Sequence, residues 1–167
     1  MRHLIAAAAT LCLAAPAFAQ DDEGPFVDFQ TLKPEVALEM AQAALQSCRE
    51  AGYQVGVTVV NRFGQPQVFL SDRYAGVHSY ETSRRKAWTA VSFRTSTTEL
   101  AEATKAGTIS SGIRDLTEAL PLGGGLLVNA GDGSIVAGIG VSGAPSPELD
   151  DECAEDGIAA IEMQIAF

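Results

Sequence analysis

The chain has 167 residues, 21 of them acidic and 11 basic, for a formal net charge of −10, and 47% of it is hydrophobic. That length and apolar content suffice for one domain with a real core, and no repeat or linker divides it. The acidic balance argues against nucleic acid and against an anionic membrane surface as partners.

The first residues carry an export pattern. Arg2 gives a positive start, residues 4–15 are apolar, and Ala17-Phe18-Ala19 is a small-x-small cleavage site before Gln20. The apolar run is too short to span a bilayer, and Leu11 ahead of Cys12 does not suit lipid attachment. The expected organisation is a signal peptide over 1–19, a flexible acidic lead-in over 20–32 and a folded domain over 33–167, in a periplasmic or secreted protein. Processing removes Cys12 and leaves Cys48 and Cys153 as a pair in an oxidising compartment. A disulfide, two buried thiols and a two-cysteine metal site are all open, although a metal would need further ligands and His78 is the one histidine left.

Pro34 suits a first helical turn, Glu35 suits its dipole, and Leu38, Ala41, Leu45 and Cys48 form an apolar stripe that stops at Gly52. Residues 55–61 and 67–71 read as two strands joined by the turn Arg62-Phe63-Gly64-Gln65. After a loop at 72–76, residues 77–93 form a helix with Tyr80, Ser83, Ala87, Ala90 and Val91 inward and His78, Thr82, Arg85 and Thr89 outward. A short helix at 97–103 and one helical turn at 113–118 precede strands at 125–129 and 134–142, which Asp132-Gly133 turns into a hairpin. Ser146, Pro147 and Glu148 then open a last helix whose stripe is Ala154, Ile158, Ile161 and Ile165, with Cys153 beside it. This order predicts an α+β fold, an antiparallel sheet flanked by helices, with the terminal helices on one face bringing the cysteines together.

Four segments in order, NRFGQPQVF, SRRKAWTA, LPLGGGLLVNAGDGSIVAGIGVSG and DDECAEDGIAAI, resemble the haem-binding family named for GlcG and HbpS over about residues 38–161. The resemblance implies a profilin-like fold, homo-oligomers and, in some members, haem; other members sit beside glycolate-use or corrinoid-related functions. Two departures stand out. Asn61 replaces the aspartate common before the turn, and Tyr74-Ala75-Gly76 replaces a more usual Asp-Gly-Ala.

Haem iron takes an axial donor from His, Met, Tyr or Cys, and propionates favour cations. His78 is the leading donor, beside Tyr74, Tyr80, Met40 and Met163, while Arg73, Arg84, Arg85 and Lys86 are a basic group in an acidic chain. Those cations equally suit a small carboxylate, a neighbouring subunit or plain solvation. Gly123, Gly124 and Gly125 offer backbone to a ligand, and Trp88 suits a subunit contact or a flat molecule. Gly140 to Ala144 lacks the last glycine of a hydrolase elbow, the glycine run lacks a phosphate-loop Lys-Ser/Thr, and the acids Asp150, Asp151, Glu152, Glu155 and Asp156 suit a helix start better than a metal. The expectation is an exported, non-enzymatic haem-binding protein with its site at 74–86. The alternative is an oligomeric accessory module for a small, glycolate-like carboxylate.

Overall fold

The computed structural model describes residues 24–167, so the expected signal peptide lies outside the described residues. The elements run α1 (Pro34–Glu50), β1 (Gly56–Asn61), β2 (Pro66–Ser71), α2 (Ser79–Phe93), α3 (Thr97–Ala103), a 3-10 turn (Ser111–Asp115), β3 (Gly125–Asn129), β4 (Ile135–Ser142) and α4 (Pro147–Ile165). The four strands form one antiparallel sheet in the order β2-β1-β4-β3. Helices α1 and α4 pack on one face and on each other, and α2 covers the other face. This is the α+β arrangement that the element order predicted and the profilin-like fold that the resemblance implied.

Strand alternation splits the sheet into two unlike faces. Val57 and Val59 of β1 and Ala137, Ile139 and Val141 of β4 join Ala37, Met40, Ala41 and Ala44 of α1 and Ala154 and Ile161 of α4 in the main core. Cys48 and Cys153 are bridged within this layer, with Cα atoms 5.5 Å apart and a sequence separation of 105. A loop of that size lets the bridge contribute about 4 to 5 kcal/mol through the entropy of the unfolded chain. Of the expected α1 stripe, Ala41, Leu45 and Cys48 are buried and Leu38 is exposed, with Met40 and Ala44 buried beside them; α4 comes close there at Gly157, where an added Cβ would meet Ala44 and the Met40 carbonyl.

The second face is built from small residues. Gly56, Thr58 and Val60 of β1 stand opposite Ser142, Gly140 and Gly138 of β4, and Gly125 of β3 pairs with Gly140. Helix α2 answers with Ser79, Ser83 and Ala87, and Thr58 shares a 2.7 Å hydrogen bond with Ser83. A Cβ on Gly140 would run into the Ser83 carbonyl and one on Gly138 into Val91 and the Ala87 carbonyl, so helix backbone lies directly on strand backbone. Gly125, Gly138 and Gly140 are packing surface for α2.

Other departures have local causes. Ser134 falls outside β4 because its N–H donates to Asp132 Oδ1. Asn61 preserves the turn that aspartate would make, since its Oδ1 accepts from the N–H groups of Phe63 and Gln65. Trp88 packs over Gly64 at that turn. The close packing of α2 predicts that Gly140→Ala lowers unfolding free energy in denaturant by at least about 1–3 kcal/mol. Gly112→Ala, where an added Cβ meets nothing, is expected to be neutral in the same measurement.

Candidate functional site

The start of α2, the start of α4 and the α1–β1 connection converge on a cleft of about 610 Å³. Ligand clefts commonly hold about 300 to 1,000 Å³. Its walls include Tyr53 and Gln54 before β1, Tyr74 and His78 before α2, and Leu122, Pro145 and Pro147, with Thr82, Ser142, Lys86 and Asp150 inside.

Lys86 and Asp150 are an ion pair with almost no access to water: their side chains are 1% and 6% exposed, and Nζ lies 2.7 Å from Oδ2. Lys86 also donates to the Val141 carbonyl at 2.9 Å, and Asp150 Oδ1 accepts from the Ala144 N–H at 3.0 Å. Burial pushes the Asp150 carboxyl up against the opposing pull of Lys86. Beside the pair, Asp151 accepts from Thr98 and, at 2.6 Å, from the Gly124 N–H. Thr82 Oγ1 and Ser142 Oγ are 2.6 Å apart.

The loop carrying Tyr74 and His78 hangs from Asp72. This carboxylate accepts from Arg49 at 2.7 and 3.1 Å and from the Arg73 N–H at 2.7 Å, while the Asp72 N–H donates to Val55. The Arg49 hydrogen bonds hold the Asp72 carboxyl below the usual carboxylate range. His78 stands exposed at the start of α2 with its ring over Gly76, and Tyr74 is 79% exposed.

Of the residues the sequence singled out, the cleft gathers Tyr74, His78 and Lys86. Arg73, Arg84 and Arg85 do not line it. Arg84 is held between Glu81 and Glu118, which raise its already high pKa further, and Arg85 donates to the carbonyls of Glu118 and Ala119. Gly123, Gly124 and Gly125 are covered from within, by Thr98 and Pro147, by Asp150 and Lys86, and by Thr97. Met40 is in the core, Cys48 and Cys153 are bridged, and Tyr80, expected inward, is 46% exposed and edge-on to Phe69. Thr89, expected outward, is buried and accepts from the Leu120 N–H. Segment 116–122, which has no periodicity to read, covers that side of α2.

The sequence reading missed Tyr53, Gln54, Ser142 and the partnership of Lys86 with Asp150. The pair left a signal. Asp150, Ala154, Gly157 and Ile161 lie on the buried stripe of α4, and Ser79, Ser83, Lys86 and Ala90 on that of α2. Opposite charges on two buried stripes need each other.

The sheet, its three covering helices and the cleft at one end define a profilin-like binding fold. The chain belongs to the family described as haem degrading protein HbpS-like, which matches residues 32–159. A double mutant of HbpS from Streptomyces reticuli is 39% identical and superposes with a TM-score of 0.77 over 89% of this chain and 98% of that one. PduOC, solved as a heme complex, is 30% identical with a TM-score of 0.74, covering 78% of this chain and 95% of that one. The corrinoid adenosyltransferase PduO of Salmonella typhimurium is 31% identical over 75% of this chain, which spans 37% of that protein's length.

The depressed Asp72 carboxyl has a direct consequence. Its stabilising contribution is complete above the unfolded-state value of about 3.9 and is lost as pH falls through the lower folded value. Denaturant unfolding is therefore expected to show stability declining below about pH 4. In Asp72→Asn the protein is less stable at neutral pH and that acid decline is shallower.

Proposed function

We propose that this chain is an exported haem-binding protein with a storage, sensing or accessory role, and that haem enters the cleft beside the start of α2. The observation that carries the reading is the distribution of iron donors. Three clefts are described, at the start of α2, at the β3–α4 edge and beside the N-terminal segment, and the first alone offers an imidazole or a phenol. The donors fit the group. His78 is exposed at the rim, Tyr74 stands beside it, and Tyr53, Leu122, Pro145 and Pro147 supply flat and apolar wall. Similarity to PduOC, solved with heme, supports the same reading.

His78 is the proposed axial donor and Tyr74 its neighbour on the other side of Gly76. Bound haem supplies an iron centre whose ligation shows in its visible spectrum. The chain's own work is to hold the imidazole in place, through Asp72 and Arg49, and to keep water from the ring with the apolar wall. Export is supported by the residue 1–19 pattern and by a disulfide that suits an oxidising compartment. Self-association is supported by Phe29 and Phe63, which are exposed and meet edge-on.

Hemin titrated into protein recovered from the export compartment, with intact mass showing a chain that begins at Gln20, is expected to give a saturable Soret band. The band is expected to persist under oxygen and reductant, and His78→Ala is expected to shift it and weaken binding roughly tenfold or more. No Soret change, together with a thermal shift by glycolate-like acids, would replace this reading by the carboxylate module. A band that decays with turnover would replace binding by haem breakdown.

A further inference from the structure

Two exposed patches at one end of the sheet have complementary chemistry. The first is the β1–β2 turn. Arg62 Cζ lies 4.2 Å from the ring centroid of Phe29 and 5.8 Å from that of Phe63, and both rings are exposed. A guanidinium laid over a ring uses its face and keeps its N–H edges for an acceptor. Among the described residues Arg62 is in no ion pair, and no other cation lies over an aromatic ring. Asn61 holds the turn through the N–H groups of Phe63 and Gln65, and Trp88 packs against Gly64, so the arginine and its rings stand out as a fixed knob.

The second patch is a groove of about 540 Å³ between the free edge of β3 and α4. Leu127, Ile158 and Ile165 give it an apolar floor, and Glu155 and Glu162, two turns apart on α4, stand exposed on its rim. Neither acid has a cationic partner among the described residues. The same groove of another molecule is a poor occupant, because its acids would meet like charge. Asn61 at the end of β1 and Val128 near the end of β3 both pair with Ala137 of β4. Turn and groove therefore lie at the same end of the sheet with β4 between them, and a fixed knob does not reach the groove of its own chain.

We propose that the Arg62–Phe63 knob of one copy seats in the β3–α4 groove of a second copy, with the ring on the apolar floor and the guanidinium at Glu155 and Glu162. The proposal rests on the self-association reading above and gives it a contact. Knob and groove are different patches of one chain, so two copies related by a twofold axis make the contact twice. The cleft that carries His78 is at the other end of the sheet, where Gly56 pairs with Ser142, so assembly leaves it open.

The test is sedimentation velocity over a concentration series on the chain beginning at Gln20. Arg62→Glu, and separately Glu155→Lys combined with Glu162→Lys, are each expected to weaken association at least about tenfold by setting like charges together. Both change exposed or half-buried surface side chains, and unchanged melting temperatures check that the fold is kept. Phe63→Ser, which leaves the charges in place, is expected to weaken association as well. An equimolar mixture of the two charge variants is expected to associate as the parent does, since every knob then meets a groove of opposite charge. Charge variants that associate as tightly as the parent would overturn this contact and leave self-association standing. Weakened variants that do not recover on mixing would overturn the pairing of knob with groove. A parent chain that stays monomeric at every concentration would overturn the self-association reading and the contact together, without bearing on haem.

Discussion

The buried contact between Lys86 and Asp150 is the constraint around which the rest of the molecule is arranged. Charges without access to water are tolerated only when each is the other's partner and the remaining donors and acceptors are filled. Here the filling comes from backbone: the Val141 carbonyl at the end of β4 and the Ala144 N–H just beyond it. The pair thus ties α2, which lies on one face of the sheet, to α4, which lies on the other, around the end of β4. The disulfide one turn further along α4 fixes that helix to α1. Together the two links set where α4 begins, and the start of α4 is a wall of the cleft.

The glycine-rich face makes this reach possible. Lys86 is carried by a helix whose backbone touches strand backbone at Gly138 and Gly140, so its side chain is already level with the end of the sheet. Gly124, at a φ of +107°, leaves the space that the lysine ammonium and the Asp150 side chain occupy. A side chain at these positions would lift α2 and separate the charges. The glycines and the ion pair are one device: the first permits the approach and the second fixes it.

Much of this was legible in the sequence. Apolar stripes of period 3.6 placed α1, α2 and α4, alternation and apolar composition placed the four strands, and the signals at Pro34, Gly52, Asp132-Gly133 and Ser146-Pro147 marked their ends within a residue or two. The cysteine pairing was one of the states the sequence allowed, and it followed once α1 and α4 shared a face. What was hidden has a common cause. Thr89 and Arg85 are covered by residues 116–122, an irregular segment whose contacts no periodicity announces, and Lys86 is enclosed by Asp150, Val141 and Gly124 from elements far along the chain. The cleft was half visible, as Tyr74 and His78, because its other wall comes from the α1–β1 and β4–α4 connections, more than 20 and 60 residues away. Gly123 to Gly125 were read as a surface for ligand, whereas the partners they meet are the protein's own α2, α3 and α4.

The functional reading draws on the same architecture: a rim that offers an imidazole, a wall of rings and prolines, and a floor held by a sealed ion pair. Its structural premise is that Lys86 and Asp150 depend on one another. A double-mutant cycle of Lys86→Met, Asp150→Leu and the combined variant, measured by denaturant unfolding, tests that premise most directly. The account predicts that breaking the pair from the Asp150 side costs about 3–5 kcal/mol. It also predicts that the double variant recovers much of that loss. Single effects that simply add to within about 0.5 kcal/mol would contradict it.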